Sequence, residues 1–209
     1  MTTTEIIQLF GLITGDTTDL SSSESLSLAE KWYRRILNDR VWDFLRTEFR
    51  GTVTGTTMTL PADFSRIVPN FNHTDNTIET EHRANPYVVF IGTNFTPYRV
   101  VNFSDRYQYR DEGNVCWIDL RNNQLVFSTS DASGQSIVFT YLYKPAILTL
   151  SASPVFDSDF HYAIAHGMAS DDFDIQLFDK NKSYAQENLA KYNKYLLDMQ
   201  YHYAQFNMN

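Results

Sequence analysis

Apolar and polar positions alternate along this chain in three successive rhythms. Ile6, Leu9, Phe10 and Ile13 recur at helical spacing and Gly15-Asp16 closes the run in a turn, which predicts a short first helix. Ser21 with Glu24 three residues later has the form of a capping box. Leu26, Ala29, Tyr33, Leu37, Val41 and Leu45 then step by three and four, so a long amphipathic helix is expected. Trp32, Ile36 and Trp42 widen its apolar stripe, while Glu30, Arg34, Arg35 and Asp39 keep the other side wet.

From about residue 47 the rhythm shortens to β-like runs at 52–54, 57–60, 87–91, 98–103, 115–120 and 124–128, bounded by turn residues such as Arg121-Asn122-Asn123. The clearest strand is 136–144, where Ile137, Phe139, Tyr141 and Tyr143 alternate with Val138, Thr140 and Leu142. No segment long enough for a helical crossover interrupts the region, so an antiparallel sheet is expected.

Helical spacing returns after Pro154. Asp157, Ser158 and Asp159 supply a cap and negative charge at a helix start, and Phe160, Ile164 and Met168 follow at steps of four. Gly167, inside this helix, is read as permitting close approach of a neighbouring backbone. Ala185, Leu189, Tyr192, Leu196, Met199, Tyr203 and Phe206 form a heptad seam that needs a partner helix. The predicted fold is therefore α+β: an antiparallel helical bundle built from N- and C-terminal helices, with an inserted small antiparallel β domain. Its parts are 1–46 (helices), 47–150 (β-region) and 151–209 (helices and a docking tail).

A chain of 209 residues can bury a core without staples. The single cysteine, Cys116, lies in an apolar run and reads as a buried thiol. Met1-Thr2-Thr3-Thr4-Glu5 offers no basic lead into the apolar stretch 6–13, which is also too short to span a bilayer; a soluble product of the cytoplasm with no membrane partner is expected. The net charge of −8 is the opposite of a phosphate-binding footprint, so tight DNA binding is disfavoured. Tyrosine is abundant, at 13 residues, and suits either wide half-wet contact surfaces or a Tyr-rich β core.

Candidate chemistry is sparse. His166, Asp171, Asp172 and Asp174, with His161 a turn earlier, carry metal-ligating groups, but His161 and His166 are five apart and the aspartates point to different helical faces. A solvated acidic helix end is favoured over a metal site. The histidines at 73, 82, 161, 166 and 202 are scattered, no serine sits in a nucleophile elbow, and no glycine loop opens a helix to cradle phosphate. No catalytic residue and no cofactor is expected. Aromatics interleave with arginine at Arg106-Tyr107-Gln108-Tyr109-Arg110, where close-lying Asp105, Asp111 and Glu112 favour an exposed loop or inter-subunit contact over base stacking. The segment 200–209 contains no Lys, Arg, Asp or Glu, which suggests a segment that docks through Tyr201, Tyr203, Phe206 and Met208; continuation of the last helix against its own bundle serves equally well for Tyr203 and Phe206.

Trp42-Asp43-Phe44-Leu45 at a helix end, a hairpin over 52–60, and Leu60-Pro61-Ala62-Asp63-Phe64 followed by Arg66 and Ile67 together resemble the head-to-tail adaptor (connector, or tail accessory) proteins of tailed bacteriophages. Leu60, Pro61, Asp63 and Phe64 carry the resemblance. They also make sense as a fold device, in which Pro61 ends a strand, Asp63 caps a turn and Phe64 returns to the core. The resemblance implies a structural virion protein at the head-tail junction: a homomeric ring, commonly of twelve subunits, that joins the portal to the tail and lines the channel through which DNA is ejected. Its implied partners are further copies of itself, the portal, a downstream tail or nozzle protein, and passing DNA held without tight binding. Three other readings stand beside it: another tail or ring protein of the virion, a divalent-metal hydrolase using His166, Asp171 and Asp172, and a glycan-binding module using exposed Tyr and Trp.

Overall fold

The computed structural model describes residues 1–15, 20–68, 87–175 and 179–205. They divide into two compact units, Met1–Phe44 with Pro145–Asn209, and Leu45–Lys144.

The first unit holds four helices, α1 (Thr3–Thr14), α2 (Ser22–Asp39), α3 (Tyr162–Ile175) and α4 (Asp179–Gln205). Local chemistry fixes their ends. Thr2 with Glu5, and Ser21 with Glu24, form complete capping boxes, and Gly15 closes α1 in the left-handed conformation at φ 66°. The Trp42 indole donates to the Ile36 carbonyl at 2.7 Å, satisfying an acceptor in the last turn of α2. Helix α3 is the centre: Ala163, Ile164, Ala165, Met168 and Ala169 are all buried, and α1, α2 and α4 pack on it. The α3–α4 contact is a polar and aromatic ladder, with His166 Nδ1 against Asn188 Oδ1 at 2.8 Å, Tyr195 stacked between Tyr162 and His166, and His202 edge-on to Phe160. Gly167 faces a side chain where the sequence suggests a backbone. A Cβ there would lie 2.4 Å from Cδ2 of Trp32, which crosses from α2.

The second unit is an eight-stranded sheet of β1 (Arg46–Thr52), β2 (Thr57–Thr59), β3 (Phe64–Ile67), β4 (Val88–Ile91), β5 (Thr96–Val101), β6 (Val115–Asp119), β7 (Gln124–Phe127) and β8 (Ser136–Tyr143). Its order is β1-β8-β4-β5-β6-β7-β2, with β3 also on β8. The two end strands are consecutive in the chain and joined by a tight turn bridged at Thr54 and Thr57, so the sheet curls back on itself into a nearly closed barrel. Inside it Val89, Ile91, Cys116, Leu125, Phe127, Ile137 and Phe139 form a continuous core.

This architecture corrects the expected fold class. An antiparallel helical bundle with a small antiparallel β insertion is replaced by a barrel-like sheet of eight strands accompanied by four helices. The sheet is also mixed, because β5 and β6 run parallel with Arg99 opposite Val115 and Val101 opposite Trp117. A parallel return needs about a dozen residues but not a helix. Residues 102–114 provide that length as successive turns, closed by Gln108 N–H to Asp105 O at 2.9 Å and Glu112 N–H to Tyr109 O at 3.2 Å.

Candidate interaction surfaces

The Leu60-Pro61-Ala62-Asp63-Phe64 segment enters β3. Leu60 is buried, and its carbonyl accepts from Asn123 Nδ2 at 3.1 Å. Pro61 accepts the Phe64 N–H at 3.0 Å, forming the turn. Asp63 takes the Tyr141 hydroxyl proton at 2.9 Å, and its own carbonyl accepts the Lys144 N–H at 2.6 Å, so it ties the turn to the end of β8 in addition to marking it. Burial, then the Asp63 bond, push the Tyr141 phenol up to about 12. Phe64 stacks on Tyr141 at 5.6 Å. These contacts make the motif a corner of the barrel.

The acidic end of α3 is committed elsewhere. Asp171 Oδ2 accepts from Lys31 Nζ at 2.6 Å and from the Trp32 indole at 3.0 Å, which fastens α2 to α3. His161 turns its Nε2 to the Phe156 carbonyl at 3.0 Å while its Nδ1 is buried without a partner, and His166 is held by Asn188. Burial lowers both imidazole pKa values. Asp172 is buried, and the side chain of Asp174 lies outside the described residues. Among the described residues no three His, Cys, Asp or Glu side chains converge as a metal site. Cys116 is wholly buried, donates weakly to the Arg99 carbonyl at 3.7 Å, and has its thiol pKa driven well up by burial.

The expected docking residues separate. Tyr203 packs within its own unit, its ring 4.9 Å from Phe44 and 6.2 Å from Trp42, its hydroxyl accepting the Asp157 N–H at 2.9 Å. Tyr201, by contrast, is 62% exposed. Phe206 and Met208, like His73 and His82, lie outside the described residues.

Two surfaces emerge, and the sequence singles out only one of them, the loop around 106–110. On α4, Ala185, Asn188, Tyr192 and Met199 face inward, and Glu187, Lys191, Lys194 and Asp198 share one outer face. Leu189, Asn193, Leu197 and Tyr201, at steps of four, form a second outer face with Gln186, Ala190 and Ala204; these positions carry no charge, and exposed Lys182 lies on the same face one turn before Gln186. The heptad reading hides it, because it places Leu189 in the seam whereas that side chain points out. The other surface is the loop 102–114, where the Arg106 guanidinium lies 3.8 Å from the Phe103 ring centre and 4.2 Å from that of Tyr107. Arg99 pairs with Glu112 at 2.9 Å and lies over Tyr109. This explains how arginines and aromatics interleave there: each of these cations is already occupied by ring faces and carboxylates of its own loop.

Charge divides unequally between the units. The helical unit has eight basic and fifteen acidic residues, a balance of −7, whereas the barrel unit has nine and ten, a balance of −1. Among the described residues no helix is long and apolar enough to cross a membrane. No curated protein matches the chain. A family model described as SU10 adaptor protein matches residues 1–208, and with nearly every residue covered the chain belongs to that family of phage head-to-tail adaptors, virion proteins that work by contact with other head and tail components.

Proposed function

We propose that this chain assembles into a homomeric ring, of twelve subunits on the family resemblance, which joins the portal to the tail and lines the DNA channel without catalysing a reaction. The observation that carries the reading is the whole-length family match, since an adaptor has to contact both head and tail components. Two further features support it. Of the candidate metal ligands, Asp171 is held by Lys31 and Trp32, His161 by the Phe156 carbonyl and His166 by Asn188, so among the described residues the hydrolase reading has no convergent set. The acidic balance of each copy repels a passing phosphate backbone, which suits a conduit through which DNA is ejected better than a DNA binder.

In this reading the protein is made in the bacterial host cytoplasm and ends at the head-tail junction. The uncharged C-terminal end, with Phe206 and Met208, reaches the portal, and a downstream tail or nozzle protein takes the opposite side of the ring. Measuring the mass of the purified chain alone and mixed with its portal tests the proposal: a discrete ring bound to the portal is expected, and a chain that stays a monomer in both conditions would refute it. Portal attachment by the tail is tested by removal of 206–209, with loss of attachment expected while the ring still forms, and unchanged attachment refuting it. A longer deletion from Gln200 would also remove Tyr203 and its ring contacts with Trp42, Phe44 and Phe160.

A further inference from the structure

We infer that neighbouring copies in the ring meet through the uncharged outer face of α4 on one copy and the exposed stripe of α1 on the next. The inference rests on the ring reading above and names the surfaces that would close it. A cyclic ring of identical chains needs two different, complementary patches on each subunit. The helical unit has two such patches, placed apart. Helices α1 and α4 both pack on α3 rather than on each other. Helix α2 stands between them, touching α1 on one side and reaching α4 through the edge-to-face pair Trp32–Tyr192 at 4.7 Å.

The two patches share a composition that a permanently wet surface does not need. On α4 the stripe is Leu189, Asn193, Leu197 and Tyr201, with Glu187, Lys191, Lys194 and Asp198 kept on a different face and Lys182 at its N-terminal end. On α1 it is Thr4, Gln8 and Leu12, with Leu12 74% exposed, the largest exposure of any apolar side chain described. Leu150, also exposed, extends this stripe, because Thr4 Oγ1 and N–H both donate to the Leu150 carbonyl, at 2.9 and 3.0 Å. The one charged side chain of α1, Glu5, is tied back into its capping box on the Thr2 N–H at 2.7 Å.

In a unit of balance −7, an outer helix face without charge from Gln186 to Ala204 and a stripe whose one carboxylate is held in a cap stand out, since exposed helix faces ordinarily carry the charge that keeps a protein apart from its copies. Depletion of charge around apolar and tyrosyl side chains is the mark of an interface core. Charge complementarity also points to a copy of the same chain. Any acidic face of one −7 unit repels another, so like copies approach most cheaply where one face carries no carboxylate and the other only Glu5, already held by the Thr2 N–H.

Sedimentation or native mass measurement of the full chain, with and without its portal, tests the inference. Leu12→Glu and Leu197→Glu each place a carboxylate in a stripe at an exposed position, so circular dichroism of the monomer should be unchanged, while the concentration for half-assembly should rise at least tenfold. Asp198→Lys, on the charged face of α4, should change it by less than twofold. Rings formed by either leucine variant as readily as by the unaltered chain would overturn these surfaces and leave the ring reading standing. Failure of the unaltered chain to form a ring at all would remove both.

Discussion

Replacing Gly167 by alanine should destabilise the helical unit, against the ordinary preference of helices. In an exposed helix interior alanine is favoured over glycine by about 1 kcal/mol. Here the added Cβ would lie 2.4 Å from Cδ2, 2.5 Å from Cε3 and 2.9 Å from Cγ of Trp32. Carbon atoms pack at about 3.5–4.0 Å, so the indole must move by about 1 Å. It has little room to do so: it is 1% exposed, hydrogen-bonded to Asp171 at 3.0 Å, edge-on to Tyr192 at 4.7 Å and covered by the Arg35 guanidinium at 4.5 Å. Overpacking costs about 1–3 kcal/mol and a strained or lost bond from the buried indole about 1–3 kcal/mol more. After the propensity gain, the net loss should be about 1–5 kcal/mol. Urea unfolding followed at the far-ultraviolet helical minimum, where the four helices dominate, measures it. The decisive control is the same substitution in a Trp32→Ala background, stabilised with an osmolyte. With the indole gone the sign should reverse, and Gly167→Ala should then add up to about 1 kcal/mol. An unchanged or raised urea midpoint for Gly167→Ala alone would refute the packing argument.

Asp171→Ala should cost about 1–3 kcal/mol through the orphaned Trp32 indole, with little from the exposed Lys31 partner, and unfolding midpoints should not respond to EDTA or added divalent metal, as thermal melts would reveal. At the barrel corner, Asp63→Ala should cost more than Tyr141→Phe, about 1 kcal/mol for the latter in urea melts, because the first leaves a buried hydroxyl without its acceptor and the second frees an exposed carboxylate to water. Both His161 and His166 titrate below the usual value near 6.5, so the unfolded chain binds protons first; stability is complete above about pH 6.5 and falls as the pH drops towards the folded values, and melting temperatures between about pH 7.5 and 5.5 should decline, less steeply in His161→Gln. Ring assembly through uncharged stripes between acidic copies should tighten as salt rises from about 0.05 to 0.5 M, measured by sedimentation, and weakening would indicate ion-paired contacts instead.

The helical elements are legible because their ends are written in short-range chemistry. Ser21 and Glu24 specify a cap between neighbours three apart, and Gly15 a left-handed stop, with no knowledge of the rest of the chain. The extent and closure of the sheet are not legible in that way. Phe64–Ile67 is a four-residue strand that alternation alone does not mark, and β1 begins at Arg46, directly after what reads as the tail of a helix. Its pairing with β8 places Phe49 opposite Phe139, a contact between residues far apart in the chain that no local window contains. The parallel β5–β6 pair escapes for a related reason, since a search for a helical crossover passes over the turns of 102–114 that suffice.

The same distinction between local and distant signals governs the candidate surfaces. Tyr203 and Tyr201 are two residues apart in one uncharged segment and the composition treats them alike, yet a helix turns about 200° between them. One ring is consequently set against Phe44 and Phe160 and the other against solvent. Composition can report that the end of the chain avoids charge; only the direction of α4 separates the part that serves the fold from the part left over for a partner. The stripe Leu189–Asn193–Leu197–Tyr201 is hidden by a regular heptad written through Leu189, because a repeat of about 3.5 residues laid on a straight helix of about 3.6 residues per turn drifts, and the drift carries Leu189 off the α3 contact. For a protein that acts by touching others, the informative residues are therefore those the repeat assigns to the core and the fold leaves outside it.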